Sequence, residues 1–155
     1  NWKKINKKTP MYRFWRLLIQ KRKDFLHHFR GKYYTGKINS YGIPEIQWFD
    51  PALQTPDWSN KEARTLAVVL GDVEDDADET RNAFVMMNMF WEPIRFGIPQ
   101  YDGLEWHRTI DTAMPSPEDA YTHKKAKPLA SKEYEVQARS IAICITKKSK
   151  KTRSK

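Results

Sequence analysis

The chain has 155 residues, of which 39% are hydrophobic and 13% aromatic, with a formal net charge of +9 and one cysteine. That length suits one domain of ordinary size, and Cys144 alone excludes an internal disulfide, as in a protein of a reducing compartment. No apolar run approaches the roughly 20 residues that span a bilayer, and the Lys-rich start lacks the apolar stretch of a signal peptide. The chain begins at Asn1 rather than Met and reads as an excised piece of a longer protein. Its positive charge is uneven. Lys3, Lys4, Lys7 and Lys8 crowd the start, Lys147, Lys148, Lys150, Lys151, Arg153 and Lys155 fill the end, and Asp72, Glu74, Asp75, Asp76, Asp78 and Glu79 make an acidic loop. Basic ends of this kind read as solvated tails before they read as a nucleic-acid surface.

Thr9-Pro10 is a helix start, with Thr as N-cap and Pro in the first turn. Met11, Phe14, Trp15, Leu18, Phe25, Leu26 and Phe29 then recur at helical spacing, and Gly31 is a natural stop, so one amphipathic helix is expected from Pro10 to Phe29. Arg13 and Arg16 fall on its opposite side. Asp24 and His28 give at most two metal ligands, which is too few for a site, and no metal or cofactor is expected.

After residue 31 the pattern becomes β-like. Residues 32–37 are β-prone, a turn at Tyr41-Gly42-Ile43-Pro44 leads to a short strand at Ile46-Phe49, and Asp50 to Lys61 is a loop carrying Trp58. Thr65 to Leu70 is apolar on both faces. Phe84 to Asp111 is expected to be a β-meander of three strands, interrupted at Glu92-Pro93 and at residues 99–103. Thr112 to Ala130 is polar and Pro-containing, an irregular loop. Tyr134 to Ala138 alternates. In Ser140 to Thr146, Ile141, Ile143 and Ile145 share one face and Ala142 and Cys144 the other, so Cys144 reads as inert packing. One helix followed by seven or eight short strands is expected to make a mainly β fold, an antiparallel Greek-key β-sandwich. Leu66, Val68, Val85, Met87, Phe96, Ile110, Ile141 and Ile143 are the expected core.

No Gly-rich phosphate loop, HExxH, CxxC or GxSxG is present. Glycoside hydrolysis needs two carboxylates held rigidly about the scissile bond, and no such pair stands out; the acidic loop is too hydrophilic to raise a carboxyl pKa. The exposed-aromatic candidates are Trp48, Trp58, Trp91 and Trp106, with Trp58 in its polar loop and Trp91 at a turn the best placed to meet a sugar.

Several stretches, taken in order, resemble the end of glycogen debranching enzymes and isoamylases of the α-amylase clan (glycoside hydrolase family 13). They are FWRLLIQKRKDFLHHFRGKYYTG at 14–36, YGIPEIQWFDP at 41–51, PDWSNKEARTLAVVL at 56–70, FVMMNMFWEPIRFGIP at 84–99, WHRTIDTAMPSPED at 106–119 and YEVQARSIAICI at 134–145. Met89 stands where the family commonly has Ala, Phe49-Asp50 where it often has His-Gly, and the basic tail is foreign to it. The resemblance implies three parts. Residues 1–30 are similar to the last helix of the catalytic barrel, 31–146 to the C-terminal β-sandwich, and 147–155 form a basic disordered tail.

It implies a parent that hydrolyses α-1,6 branch linkages in glycogen or starch-like glucans, with its catalytic carboxylates on a barrel upstream. This chain is then an accessory domain, inactive alone, cytoplasmic or, in a plant, plastidial. Its expected partners are that barrel and a branched α-glucan, with Trp58 and Trp91 as sugar contacts. Phe14, Trp15 and Leu18 would be the barrel-facing surface. Free of the barrel, that surface would self-associate or be covered by Trp2 and Ile5. A freestanding carbohydrate-binding module is the alternative, and a basic nucleic-acid binder is disfavoured because its charges sit away from the aromatic strands.

Overall fold

The computed structural model describes residues 9–26, 33–72 and 82–149 of the chain. Helix α1 spans Pro10–Leu26. Thr9 caps it: its Oγ1 accepts from the Tyr12 N–H at 3.3 Å, and its carbonyl from the Arg13 N–H at 3.0 Å. The expected continuation through His28 and Phe29 to Gly31 lies outside the described residues, as do the side chains of Phe25 and Leu26, Trp2 and Ile5, the acidic residues 74–79 and the tail from 150.

Eight strands follow among the described residues: β1 Ile46–Phe49, β2 Thr65–Leu70, β3 Ala83–Asn88, β4 Ile94–Gly97, β5 Leu104–Asp111, β6 Lys127–Pro128, β7 Glu133–Val136 and β8 Ser140–Lys148. They form a six-stranded sheet in the order β1-β2-β3-β8-β5-β6 and a two-stranded sheet of β4 and β7, with every pairing antiparallel. The fold is therefore mainly β, a sandwich with one helix at its start. The chain leaves the large sheet after β3, crosses to the small one, and returns as β5 one place further along. β8 fills the slot between them, a non-sequential crossing.

The expected meander does not form. β4 pairs with β7, and β5 with β8, so β3, β4 and β5 are not neighbours. The Glu92-Pro93 break is the reason, because it turns the chain out of one sheet and into the other. Residues 33–37 are not a strand; they run exposed to an isolated bridge between Ile38 and Pro44. The Tyr41-Pro44 turn forms as expected, with Gly42 at φ 76° and the Asn39 side-chain oxygen accepting from the Tyr41 and Ile43 N–H groups, each at 3.0 Å. β8 runs on through Lys147 and Lys148, two residues into the stretch expected to be tail, because both pair with the start of β5.

The core lies between the sheets. Ala67, Val69, Phe84, Met86, Ala142 and Cys144 from the large sheet meet Phe96 and Val136 from the small one, joined by Ile43, Phe49, Ile98 and Trp106. This reverses part of the expected assignment. Phe96, Val68 and Ile110 are buried, but Leu66, Val85, Met87, Ile141 and Ile143 are only half-buried on the outer face. The physical reason is cover. Phe96 and Val136 of the small sheet lie over the face that carries Ala67, Ala142 and Cys144 with Phe84, Met86 and Trp106, and the small residues leave room for those rings in a close-packed layer.

Two buried asparagines hold the ends of β3. Asn82 accepts from the Asp72 N–H at 3.0 Å and from Asn39 Nδ2 at 2.9 Å, and donates to Thr146 Oγ1 at 3.0 Å. Asp72, expected at the start of a solvated acidic loop, is thereby drawn into the interior. Asn88 Nδ2 reaches the carbonyls of Glu92 at 2.8 Å and of Val136 and Gln137 at 3.0 Å, while its oxygen accepts from the Phe90 N–H at 3.0 Å. In β5 a register shift between Arg108 and Ile110 leaves Thr109 without a partner in β8 and turns Asp111 inward.

Candidate functional site

Two exposed tryptophans stand on loops at one end of the large sheet. The loop 50–64 precedes β2 and the turn 89–93 follows β3. Because Thr65 pairs with Asn88, and the Met89 N–H donates to the Arg64 carbonyl at 2.8 Å, the two loops leave the sheet side by side.

Trp58 is 66% exposed in the first loop and meets Trp48 of β1, itself 38% exposed, with ring centroids 6.0 Å apart and planes at 84°. This edge-to-face arrangement is the preferred one for aromatic quadrupoles. A series of local caps holds the loop. Asp50 Oδ1 accepts from the Ala52 and Gln54 N–H groups, each at 2.8 Å, and Asn60 Oδ1 from the Glu62 N–H at 2.9 Å. Asp57 accepts from Ser59 Oγ at 2.6 Å and from the Ser59 N–H at 2.9 Å, and these bonds hold its carboxyl below the usual range. The Gly97 N–H donates to the Pro51 carbonyl at 2.8 Å, tying the loop to the small sheet, and a Cβ at Gly97 would come within about 3.0 Å of Leu53.

Trp91 is 65% exposed and stacks on Phe90, with centroids 4.3 Å apart and planes at 30°. Its turn is anchored beneath by Asn88 and on one side by the Arg139 N–H, which donates to the Phe90 carbonyl at 3.0 Å. The other two aromatic candidates differ in kind. Trp106 is buried and donates from Nε1 to the Pro99 carbonyl at 2.6 Å, so it is core. Trp48 was not expected to pair with Trp58. The repeated Asp/Asn signals at 50, 57 and 60 do show in the sequence that this loop is locally ordered.

A second surface is apolar and broad. On the outer face of the large sheet, Trp48, Val68, Val85, Ile143 and Ile110 form one row across β1, β2, β3, β8 and β5; Val68 and Ile110 are covered, while Trp48 is exposed and Val85 and Ile143, with Leu66, Met87 and Ile141 beside them, are half-buried. Helix α1 adds to the exposed apolar area. Of the expected stripe, Trp15 is 57% exposed and Met11 is exposed, while Phe14 and Leu18 are half-buried. Arg13, expected on the solvated side, is instead the docking residue. It is ion-paired with Asp119 and donates to the Ala120 carbonyl at 3.0 Å and to Ser116 Oγ at 3.2 Å. Lys21 bonds to Thr109 on β5. Between helix and loop lies a groove of about 560 Å³ bordered by Arg16, Leu17, Pro117, Tyr121 and Lys125.

The acidic residues near β5 are structural. Asp111 is buried and accepts from the Tyr134 hydroxyl at 2.5 Å and from the Ala113 N–H at 3.0 Å; burial first, and then that carboxylate, push the Tyr134 phenol pKa up. Burial pushes the Cys144 thiol up to about 12, so it carries no thiolate near neutrality. Among the described residues, no three His, Cys, Asp or Glu side chains converge as a metal site would require.

Residues 47–149 match the family model of the isoamylase 1-3 C-terminal domain. No curated protein matches the chain.

Proposed function

From the premise that this chain belongs to the family of isoamylase 1-3 C-terminal domains, we propose that it packs against the catalytic domain of the same polypeptide. The parent, in this reading, hydrolyses α-1,6 branch linkages of a glycogen- or starch-like glucan. The observation that carries the proposal is the half-buried apolar set Leu66, Val85, Met87, Ile141 and Ile143 on the outer face, beside the exposed Trp48. An outward sheet face is ordinarily polar, and contiguous apolar patches of more than a few hundred Å² mark contact surfaces. The exposed side of α1 at Met11 and Trp15, with Phe14 and Leu18 at its margin, extends the same requirement for cover. Catalysis is left to the other domain. Asp111 is committed to Tyr134 and the Ala113 amide, and Asp119 to Arg13, so neither is poised as an acid or nucleophile.

The test is limited proteolysis of the parent enzyme carrying Ile143→Lys or Val85→Lys. The expected result is a newly cleavable C-terminal domain and a lower unfolding temperature for the catalytic one. Unchanged protection in both variants refutes the assignment of this face. The isolated chain should release no reducing sugar from a branched glucan. It should scatter light in a concentration-dependent way that Phe14→Glu and Trp15→Glu suppress, because the uncovered helix finds a second copy.

A further inference from the structure

We infer that the end of the sandwich formed by loop 50–64 and turn 89–93 binds a linear α-glucan chain at two stations, Trp58 and Trp91; the glucan class rests on the family reading above. Each ring is exposed by about two thirds and is backed by a second ring, Trp48 at 6.0 Å and Phe90 at 4.3 Å. Single exposed tryptophans are common. Here two of them are displayed on adjacent loops that the fold goes to some length to immobilise. Buried Asn88 uses both ends of its amide to hold the Trp91 turn, and Asp50, Asp57 and Asn60 hold the Trp58 loop through side-chain caps. A rigid ring loses little entropy when a ligand stacks on it.

The chemistry of the rim selects the ligand. A pyranose presents a face of C–H groups, which carry slight positive charge and pack on the negative face of an indole. The two loops carry Asp50, Asp57, Glu62 and Glu92 against Lys61 and Arg64, with Arg139 joined to the turn through its backbone, a nearly balanced set. Such a rim offers donors and acceptors to hydroxyls and no positive field for phosphates, so a neutral saccharide fits and a single-stranded nucleic acid does not. The Asp57 carboxylate is held ionised by Ser59 and is exposed next to Trp58 in the chain, a group that can accept from a sugar hydroxyl.

The experiment follows the tryptophan indole N–H signals by NMR while maltoheptaose is added to the intact chain. Trp58 and Trp91 should shift together and buried Trp106 should not. By analogy with aromatic stacking on bases, Trp58→Ala and Trp91→Ala should each weaken binding about tenfold, and the double variant should abolish it. Both rings are exposed, so the variants keep the wild-type unfolding temperature, which is measured alongside. The inference is overturned if neither indole shifts, or if only one does. It is also overturned if cellohexaose or a short single-stranded oligonucleotide shifts them as strongly. Domain separation by Ile143→Lys uses a different face and a different readout, so loss of sugar binding leaves the docking result standing, and the reverse.

Discussion

The two faces of the large sheet are both apolar, yet they differ in what they hold. The inner face mixes the small Ala67, Ala142 and Cys144 with the large Phe84, Met86 and Trp106, lies under Phe96 and Val136 of the small sheet, and is sealed. The outer face has Leu66, Val85, Met87, Ile141 and Ile143, and it is half-open. Side-chain size therefore does not tell which face is the core. An interior is finished when its facing layer fills it, and here that layer comes from β4, β7 and the 98–106 segment. The outer face is covered at Val68 and Ile110 and half-open at those five residues, so its apolar area is only partly layered, as the proposed docking requires.

The most direct way to break this comparison is to cut a cavity on each side. Phe96→Ala should cost about 3–5 kcal/mol of stability in a denaturant titration, and Ile143→Ala under about 2 kcal/mol, because a half-open site loses less contact and refills with water. Equal losses would mean that the outer face is closed. A smaller effect is expected at the anchor beneath Trp91. Asn88→Ala leaves the carbonyls of Glu92, Val136 and Gln137 without their donor and should cost about 2–4 kcal/mol. Amide exchange of Phe90, whose N–H loses its acceptor, should rise well beyond what the global loss explains.

At the helix, Arg13→Ala removes one ion pair and two further bonds at a half-exposed site, for about 1 kcal/mol. Protease cleavage within α1 should then precede unfolding of the sandwich; simultaneous loss would show that helix and sheet form one cooperative unit.

The last effect is absent at neutral pH. The Cys144 thiol is raised from 9.0 to about 12 in the folded chain, so the unfolded chain gives up its proton first and stability falls as pH rises from about 9 towards 12. The raised Tyr134 phenol adds a loss of the same sign. Cys144→Ala should flatten the decline, and native Cys144 should resist iodoacetamide at pH values where the unfolded chain reacts.

Local pattern was enough for much of this protein. The caps Thr9 and Gly42, the apolar runs of β2 and β8, and the breaks at 92–93 and 99–103 each state their structure within a few residues, because hydrogen bonding and turn sterics act over that range. The exposure of Trp58 and Trp91 was legible for the same reason, since each sits among turn-forming polar residues. What the tertiary structure alone decided is how those pieces face one another. Period 2 fixes that Ile143 and Cys144 point apart, but when both sets are apolar it is silent on which points inward. The choice was made by Phe96 and Val136 of the small sheet, distant from most of the large sheet in sequence, which cover the face that carries Ala142 and Cys144. The same holds for β4 joining β7, for Asp72 drawn in by Asn82, and for Trp48 meeting Trp58. Each is a contact between distant segments, and its energy exists only once the chain has closed on itself.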